Sequence, residues 1–302
     1  MLVRFSVQDF IDERKLMNTS EYTLRNYKSF FKGFEEWLRM NDITDITNVS
    51  ANTLRLYLRY CQDELGNSAT TINNKVKNLK AFFNHLYENE FIDTNPTLKL
   101  KKQITETRIE VFNDQHIRLM LRYLRRIKRQ DHEFAAYRNL TVILTLLGTG
   151  IRLNELRNLK WSDVTNSYIT VIGKGRKQET VPLTKRAYEY LIDWRTYQTS
   201  YFELDTEYVF THRDATQISY EATKGIFKKL SEVMQFKDVR LSAHTFRHTF
   251  AHRFLMSGGD VFTLQKILRH SSLHMTEKYL ALWGHDLNER NEKYNPLNHM
   301  DI

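Results

Sequence analysis

One cysteine, three prolines and ten glycines in 302 residues set the first limits. Cys61 alone forms no internal disulfide, which fits a reducing cytosol, and it reads as a small apolar residue on a helix. So little proline and glycine argues against extensive disorder. No run approaches the roughly 20 apolar residues of a membrane span. The opening residues turn polar too early for a secretory leader. What is present is apolar material, 41 % of the chain, enough for a proper core in one large domain or two ordinary ones.

The formal net charge is +9, which invites a polyanionic partner without naming it. Residues 1–100 are balanced, with 13 Lys/Arg against 13 Asp/Glu, and residues 131–302 nearly so, with 23 against 20. Residues 101–130 carry 9 against 3. The excess therefore gathers at Lys101, Lys102, Arg108 and the run Arg118 to Arg129, which is either a solvated helix face or a phosphate-facing one.

The first hundred residues read as all-helical. Leu24, Tyr27, Phe31, Phe34 and Leu38 recur every three or four residues, as do Ile72, Val76, Leu79, Phe83 and Leu86. Lys75, Lys77 and Lys80 lie off the second stripe, towards DNA or merely water. Gly66-Asn67-Ser68 predicts a break and a cap, and Asn95-Pro96 predicts the end of the helical pattern. The polar stretch from Lys99 to Glu110 reads as a linker. Beyond it, Asn113 caps a helix that turns Ile117, Leu121 and Leu124 inward. A helix over about Ala136 to Leu147 stops at Gly148-Thr149-Gly150, and a short one covers Arg152 to Leu159. The period then changes: Tyr168–Ile172 and Glu179–Pro182 flank Gly173-Lys174-Gly175-Arg176 as a β-hairpin. The remainder is mostly helical, with Ser257-Gly258-Gly259 as a breaker.

Four segments of this second region concentrate functional side chains. They contain Arg152 and Glu155, then Lys174, then His244 and Arg247, then His270 and Tyr279. Each alone has a bland reading. Arg152 pairs with Glu155 on a helix surface, Lys174 is a wet turn residue, and Tyr279 is one of 16 tyrosines. His244, His248 and His252 share a helix face, but an HExxH glutamate and a cysteine partner are lacking, so no metal site is expected. As a set, the residues suit phosphoryl transfer without a metal. Paired guanidinium forks neutralise nonbridging oxygens. A nucleophile, a base and an acid complete the requirement. A phenol of pKa about 10 is only about a thousandth ionised at neutral pH. Cationic surroundings are expected to favour the phenolate.

The segments resemble the tyrosine recombinase (phage integrase) family. Thr149-Gly150-Ile151-Arg152-Leu153-Asn154-Glu155-Leu156 is similar to its first arginine segment. Gly173-Lys174-Gly175 with Val181-Pro182-Leu183 is similar to its lysine hairpin. His244-Thr245-Phe246-Arg247-His248 matches the HxxR box, and Leu268-Arg269-His270-Ser271-Ser272 with Thr276 and Tyr279 matches the final segment. Two departures stand out: Arg269 replaces the usual glycine, and Tyr279-Leu280-Ala281 replaces a frequent tyrosine–threonine–histidine ending.

The resemblance implies a mainly α chain: a helical core-binding, DNA-clamping domain at 1–98, a linker at 99–110, and a mixed α+β catalytic domain with a small antiparallel sheet at 111–302. It implies strand cleavage and rejoining through a 3′-phosphotyrosine at Tyr279, for integration, excision, transposition or resolution. Arg152, Arg247 and His270 would hold the phosphate, Lys174 would protonate the leaving 5′-oxygen, His244 would help move protons, and Glu155 would orient the site. No cofactor is implied. The implied partners are duplex DNA with an inverted-repeat core site, contacted by Lys75, Lys77, Lys80, Lys101, Lys102, Arg176 and Lys177, and a homotetramer at synapsis. Trp283 to Ile302 either docks on a neighbouring subunit or frays. The expected location is the cytoplasm, at the nucleoid. The rival readings are a type IB topoisomerase and a catalytically inactive DNA-binding accessory protein.

Overall fold

The computed structural model describes residues 1–105, 109–131, 134–173 and 177–270, together with Thr276, Tyr279, Glu292, Asn295 and Asn298. The chain divides into two compact units, Met1–Thr107 and Arg108–Ile302.

The first unit is helical: α1 (Val3–Leu16), α2 (Glu21–Met40), α3 (Ala51–Asp63) and α4 (Ala69–Glu88). Three of these start alike. Ser20, Ser50 and Ser68 each accept the backbone N–H of a threonine three residues on, Thr23, Thr53 and Thr71. Such caps satisfy donors a helix cannot bond internally, each worth about 1 kcal/mol. The stripes bury as the period requires. Phe31, Phe34 and Leu38 of α2 and Ile72, Val76, Leu79, Phe83 and Leu86 of α4 are all in the core. Rings interlock there, Phe10 lying 5.6 Å from Phe31 and Phe31 4.7 Å from Phe82. Cys61 is fully buried, as a small apolar residue would be. His85, also buried, ties α4 to α1 through Asp9 at 2.8 Å and Glu13 at 2.7 Å.

Two boundaries differ from expectation. The fourth helix stops at Glu88, with Asn89 as its cap and Glu90 left-handed at φ 60°, several residues before Asn95-Pro96. A residue that is neither glycine nor proline makes the stop, and that leaves little trace in sequence. The stretch from Lys99 is also not a free linker throughout. Leu100 is buried in the first core, and Gln103 exchanges backbone hydrogen bonds of 2.8 and 2.9 Å with the Asn73 amide. At the far end, Glu110 accepts the backbone N–H of Arg240 at 2.7 Å, inside the second unit.

The second unit is built around α6 (Phe134–Thr149), which packs against α5 (Asp114–Asp131), α8 (Lys185–Phe202) and α10 (Ala243–Met256). Its apolar residues lie almost all round the helix, and Leu140, Val142, Ile143 and Leu146 are buried. That pattern marks a central helix. Asn113 caps α5 by accepting the His116 N–H at 2.8 Å. Between α7 (Leu153–Asn158) and α8 stands the hairpin of β1 (Tyr168–Ile172) and β2 (Gln178–Pro182), antiparallel with Thr170 opposite Thr180. Ile169, Val171 and Val181 point inward, while Tyr168, Ile172 and Thr180 are exposed, the period of two expected of a half-buried hairpin. The unit continues with α9 (Tyr220–Met234), α10 and α11 (Val261–Leu268). Among the described residues, no helix is long and apolar enough to cross a membrane.

Candidate active site

Gly150 ends α6 at φ +63°, a conformation open to glycine and costly to other residues. Space is also lacking there, since a Cβ would come within 2.6 Å of the Phe250 ring. The turn throws Arg152 onto the cap of α7, where Glu155 answers it twice. Glu155 accepts the Arg152 backbone N–H at 2.8 Å and its guanidinium at 2.7 Å. The bland pairing of these two residues is thus real, but it is not a surface pair, because the Glu155 side chain is only 5 % exposed.

The helix α10 begins at Ser242, which caps it through the Thr245 N–H. Phe246, Thr249 and Ala251 face inward, and so does Arg247. A buried guanidinium needs acceptors. Arg247 finds two main-chain carbonyls, Gly150 at 2.8 Å and Leu268 at the end of α11. Burial, with Arg152 and Arg269 nearby, pushes it down to about 10, so it remains a cation at neutral pH.

After α11 the chain turns through Arg269, left-handed at φ 55°, into His270. His270 has Nδ1 2.9 Å from the Thr276 hydroxyl, and its ring lies parallel to that of Tyr279, within 7° and at 6.4 Å. The Tyr279 hydroxyl lies 2.7 Å from Nδ1 of His248. Burial, then His244 and Arg247, push His248 down to about 4, so at neutral pH its ring is uncharged and able to accept. His270 is pushed to about 4 as well, by burial first and then by the charges of Arg247, Arg152 and Arg269. Partial burial of its ring, then Arg247 and Arg152, lower His244.

The expectation of a favoured phenolate is corrected. Tyr279 is 3 % exposed, packed with Ala251, Leu255, Leu264 and Leu268. Burial raises its pKa, and the opposing pull of Arg247 is smaller. Removing an anion from water outweighs one buried guanidinium already shared between two carbonyls.

Beside these residues opens a groove of about 1080 Å³. Arg152, Glu155, His244, Arg240, Lys224 and Arg269 are among the residues that line it, and Tyr279 is not. The structure therefore brings Arg152, Glu155, His244, Arg247, His270 and Tyr279 into one neighbourhood of the second unit. Lys174 and Arg176 lie outside the described residues, as do Arg108, Ser271, Ser272, Leu280 and Ala281, and the tail from Trp283 apart from Glu292, Asn295 and Asn298. Of the lysines expected at DNA, Lys77, Lys101, Lys102 and Lys177 are exposed, and Lys75 and Lys80 half-buried. The Lys75 ammonium stands 5.5 Å from the Phe30 ring and 5.6 Å from the Tyr57 ring, so part of its role is packing.

Two residues of this cluster were missed by sequence reasoning. His248 reads from sequence as a metal ligand or as a capping or core-edge histidine, and its spacing from His244 gives no hint of which ring reaches Tyr279. Arg269 registered only as a departure, though that substitution was itself a signal.

Comparison with known proteins gives the family. A profile of the Phage integrase family matches residues 112–283, and one of the Phage integrase SAM-like domain matches residues 5–104. Tyrosine recombinase XerC of Pediococcus pentosaceus is 30 % identical over 288 residues, 92 % of this chain and 93 % of the relative. That of Oceanobacillus iheyensis is 28 % identical over 286 residues, 92 % of each chain. Among solved structures, a XerH site-specific recombinase bound to palindromic difH substrate superposes with a TM-score of 0.75 at 20 % identity, over 92 % of this chain and 81 % of the other. A lambda integrase dimer bound to a COC′ core site gives 0.71 at 17 %, over 91 % and 97 %. The last two show a shared fold, and the sequence matches reach further: this chain belongs to the phage integrase family and is a tyrosine-type site-specific recombinase.

Proposed function

We propose that Tyr279 is the nucleophile of this recombinase and that Arg152, Arg247 and His270 hold the scissile phosphate. The observation that carries the reading is convergence. Segments around residues 150, 247, 269 and 279 meet through hydrogen bonds from Arg247 to Gly150 and from Arg152 to the Arg269 carbonyl, and through the ring pair of His270 and Tyr279. Tyr279 attacks phosphorus, its oxygen becomes bonded in a 3′-phosphotyrosine, and the 5′-oxygen departs. His248 takes the phenol proton, and Lys174 supplies one to the leaving oxygen. His244, at the groove wall, assists proton movement there, and Glu155 orients Arg152. The charge growing on the nonbridging oxygens meets fixed donors, which is where most of the acceleration arises. The phosphotyrosine conserves bond energy, so rejoining to a second strand needs no further energy source.

The same reading assigns residues 1–98 to DNA holding and 111–302 to chemistry, with Lys77, Lys80, Lys101, Lys102 and Lys177 at phosphates and Arg176 beside them. A relative bound to a palindromic substrate supports an inverted-repeat core site here. We extend the reading to a homotetramer at synapsis, joined through the segment from Trp283, in a protein that resides on the nucleoid. Truncation after Trp283 is expected to leave DNA binding and abolish tetramers in sedimentation; unchanged assembly would remove the tail from the account.

The central test is covalent trapping on a duplex nicked near the cleavage point. Wild-type protein should become linked to DNA, and Tyr279→Phe should bind without linkage. Strand exchange by Tyr279→Phe would overturn the assignment. An absence of trapping by wild type would favour an inactive accessory protein, and plasmid relaxation without two-site recombination a topoisomerase.

A further inference from the structure

We propose that Arg269 is a positioning residue of the recombinase site, holding two carboxylates that set the places of Arg152 and the β-hairpin. It occupies a left-handed turn, φ 55°, where glycine would sit without strain. A strained residue persists where its surroundings over-determine it. Here the side chain is only 3 % exposed and ion-paired to Glu155, itself 5 % exposed. Glu155 therefore stands between two guanidinium groups, Arg152 on one oxygen and Arg269 on the other. The backbone carbonyl of Arg269 also accepts from Arg152 at 3.3 Å. A second contact runs to the hairpin, where Nε of Arg269, buried without a hydrogen-bond partner among the described residues, lies 3.6 Å from the Glu179 carboxylate on β2. Glu179 in turn covers Gly173, so closely that a Cβ there would fall 2.1 Å from its oxygen. Arg269 thus touches the helix of Arg152 and the base of the hairpin, and it directly precedes His270 in the chain. Its planar fork suits two carboxylates at once, which a point-charge ammonium does not.

The consequence is kinetic. With Arg269 in place, Glu155 is neutralised by a residue other than Arg152, and Arg152 keeps its orientation with donors to spare for phosphate. Without it, Glu155 draws on Arg152 alone, and Glu179 loses its anchor. Displacements of about 1 Å at reacting groups cost on the order of a hundredfold in rate.

This inference rests on the assignment of Arg152 and Tyr279 above, and the test separates the two. Single-turnover trapping on a nicked duplex is measured for wild type, Arg269→Gly, Arg269→Met and Arg269→Lys, with the linked peptide mapped. Wild type that fails to link through Tyr279 refutes the site assignment itself. Given that linkage, Arg269→Gly, whose backbone suits the turn, should trap about a hundredfold more slowly with DNA half-saturation unchanged. Arg269→Met should match it, and Arg269→Lys should recover part of the rate. In a Glu155→Gln background, Arg269→Gly should have a much smaller effect, because the two act through one contact. Wild-type trapping rates in Arg269→Gly, or equal rates in the Met and Lys variants, would overturn the proposal. So would full additivity with Glu155→Gln.

Discussion

The phenol oxygen of Tyr279 lies 2.7 Å from Nδ1 of His248, and the imidazole of His248 is uncharged at neutral pH. The pair is thus set for the phenol to donate and the ring to accept. His248→Phe preserves the ring and removes the acceptor. The expected result is a fall of about a hundredfold or more in trapping rate, with DNA affinity retained. Trapping at the wild-type rate would assign the phenol proton to another group.

Acid should loosen the second unit. His248 and His270 have folded values near 4 against an ordinary 6.5. Between those values the unfolded chain binds protons that the native state refuses, so stability is present above pH 6.5 and is lost as pH falls towards 4. The thermal midpoint should decline across this window, and less steeply in His248→Phe. Identical slopes in the two proteins would count against a half-buried, neutral His248.

Gly150→Ala combines a left-handed backbone with a Cβ 2.6 Å from Phe250. We expect a loss of about 1–3 kcal/mol by chemical denaturation, and slower trapping because the Gly150 carbonyl also receives Arg247. A variant as stable and as fast as wild type would show that this turn tolerates a side chain.

Lys101 and Lys102 are exposed at the end of the first unit. If each meets a phosphate, replacing both by glutamine should reduce the slope of log affinity against log salt by about 2. Anisotropy titrations from low to moderate salt would measure it. The loss should be similar for core-site and unrelated duplexes, since phosphate contacts carry no sequence information.

Much of this molecule was legible because its local rules agree. The stripes of α2 and α4 have the period of a helix with one dry face, and Ser68 and Asn113 cap where predicted. The hairpin around residues 168–182 announces itself by a change of period. The quantities that escaped depend on what lies nearby in space. Whether His244 or His248 meets Tyr279 is decided by where Tyr279 packs against α10, and no spacing within one helix encodes that. The direction of the Tyr279 shift was misjudged for the same reason: the cations were visible in sequence, and the apolar cluster around the phenol was not. Glu90 ended a helix that Asn95-Pro96 was expected to end, because a left-handed residue without glycine carries no compositional mark.

Among the described residues, the hydrogen bonds that hold Arg247 go to carbonyls of the main chain, those of Gly150 and Leu268. Every amino acid presents the same carbonyl, so exchanging side chains at Leu268 leaves that acceptor intact as long as the helix still ends there. The reacting centre is in this respect insulated from drift in its own lining. Residues along the groove can diverge while the Arg247 guanidinium stays where two helix ends have put it.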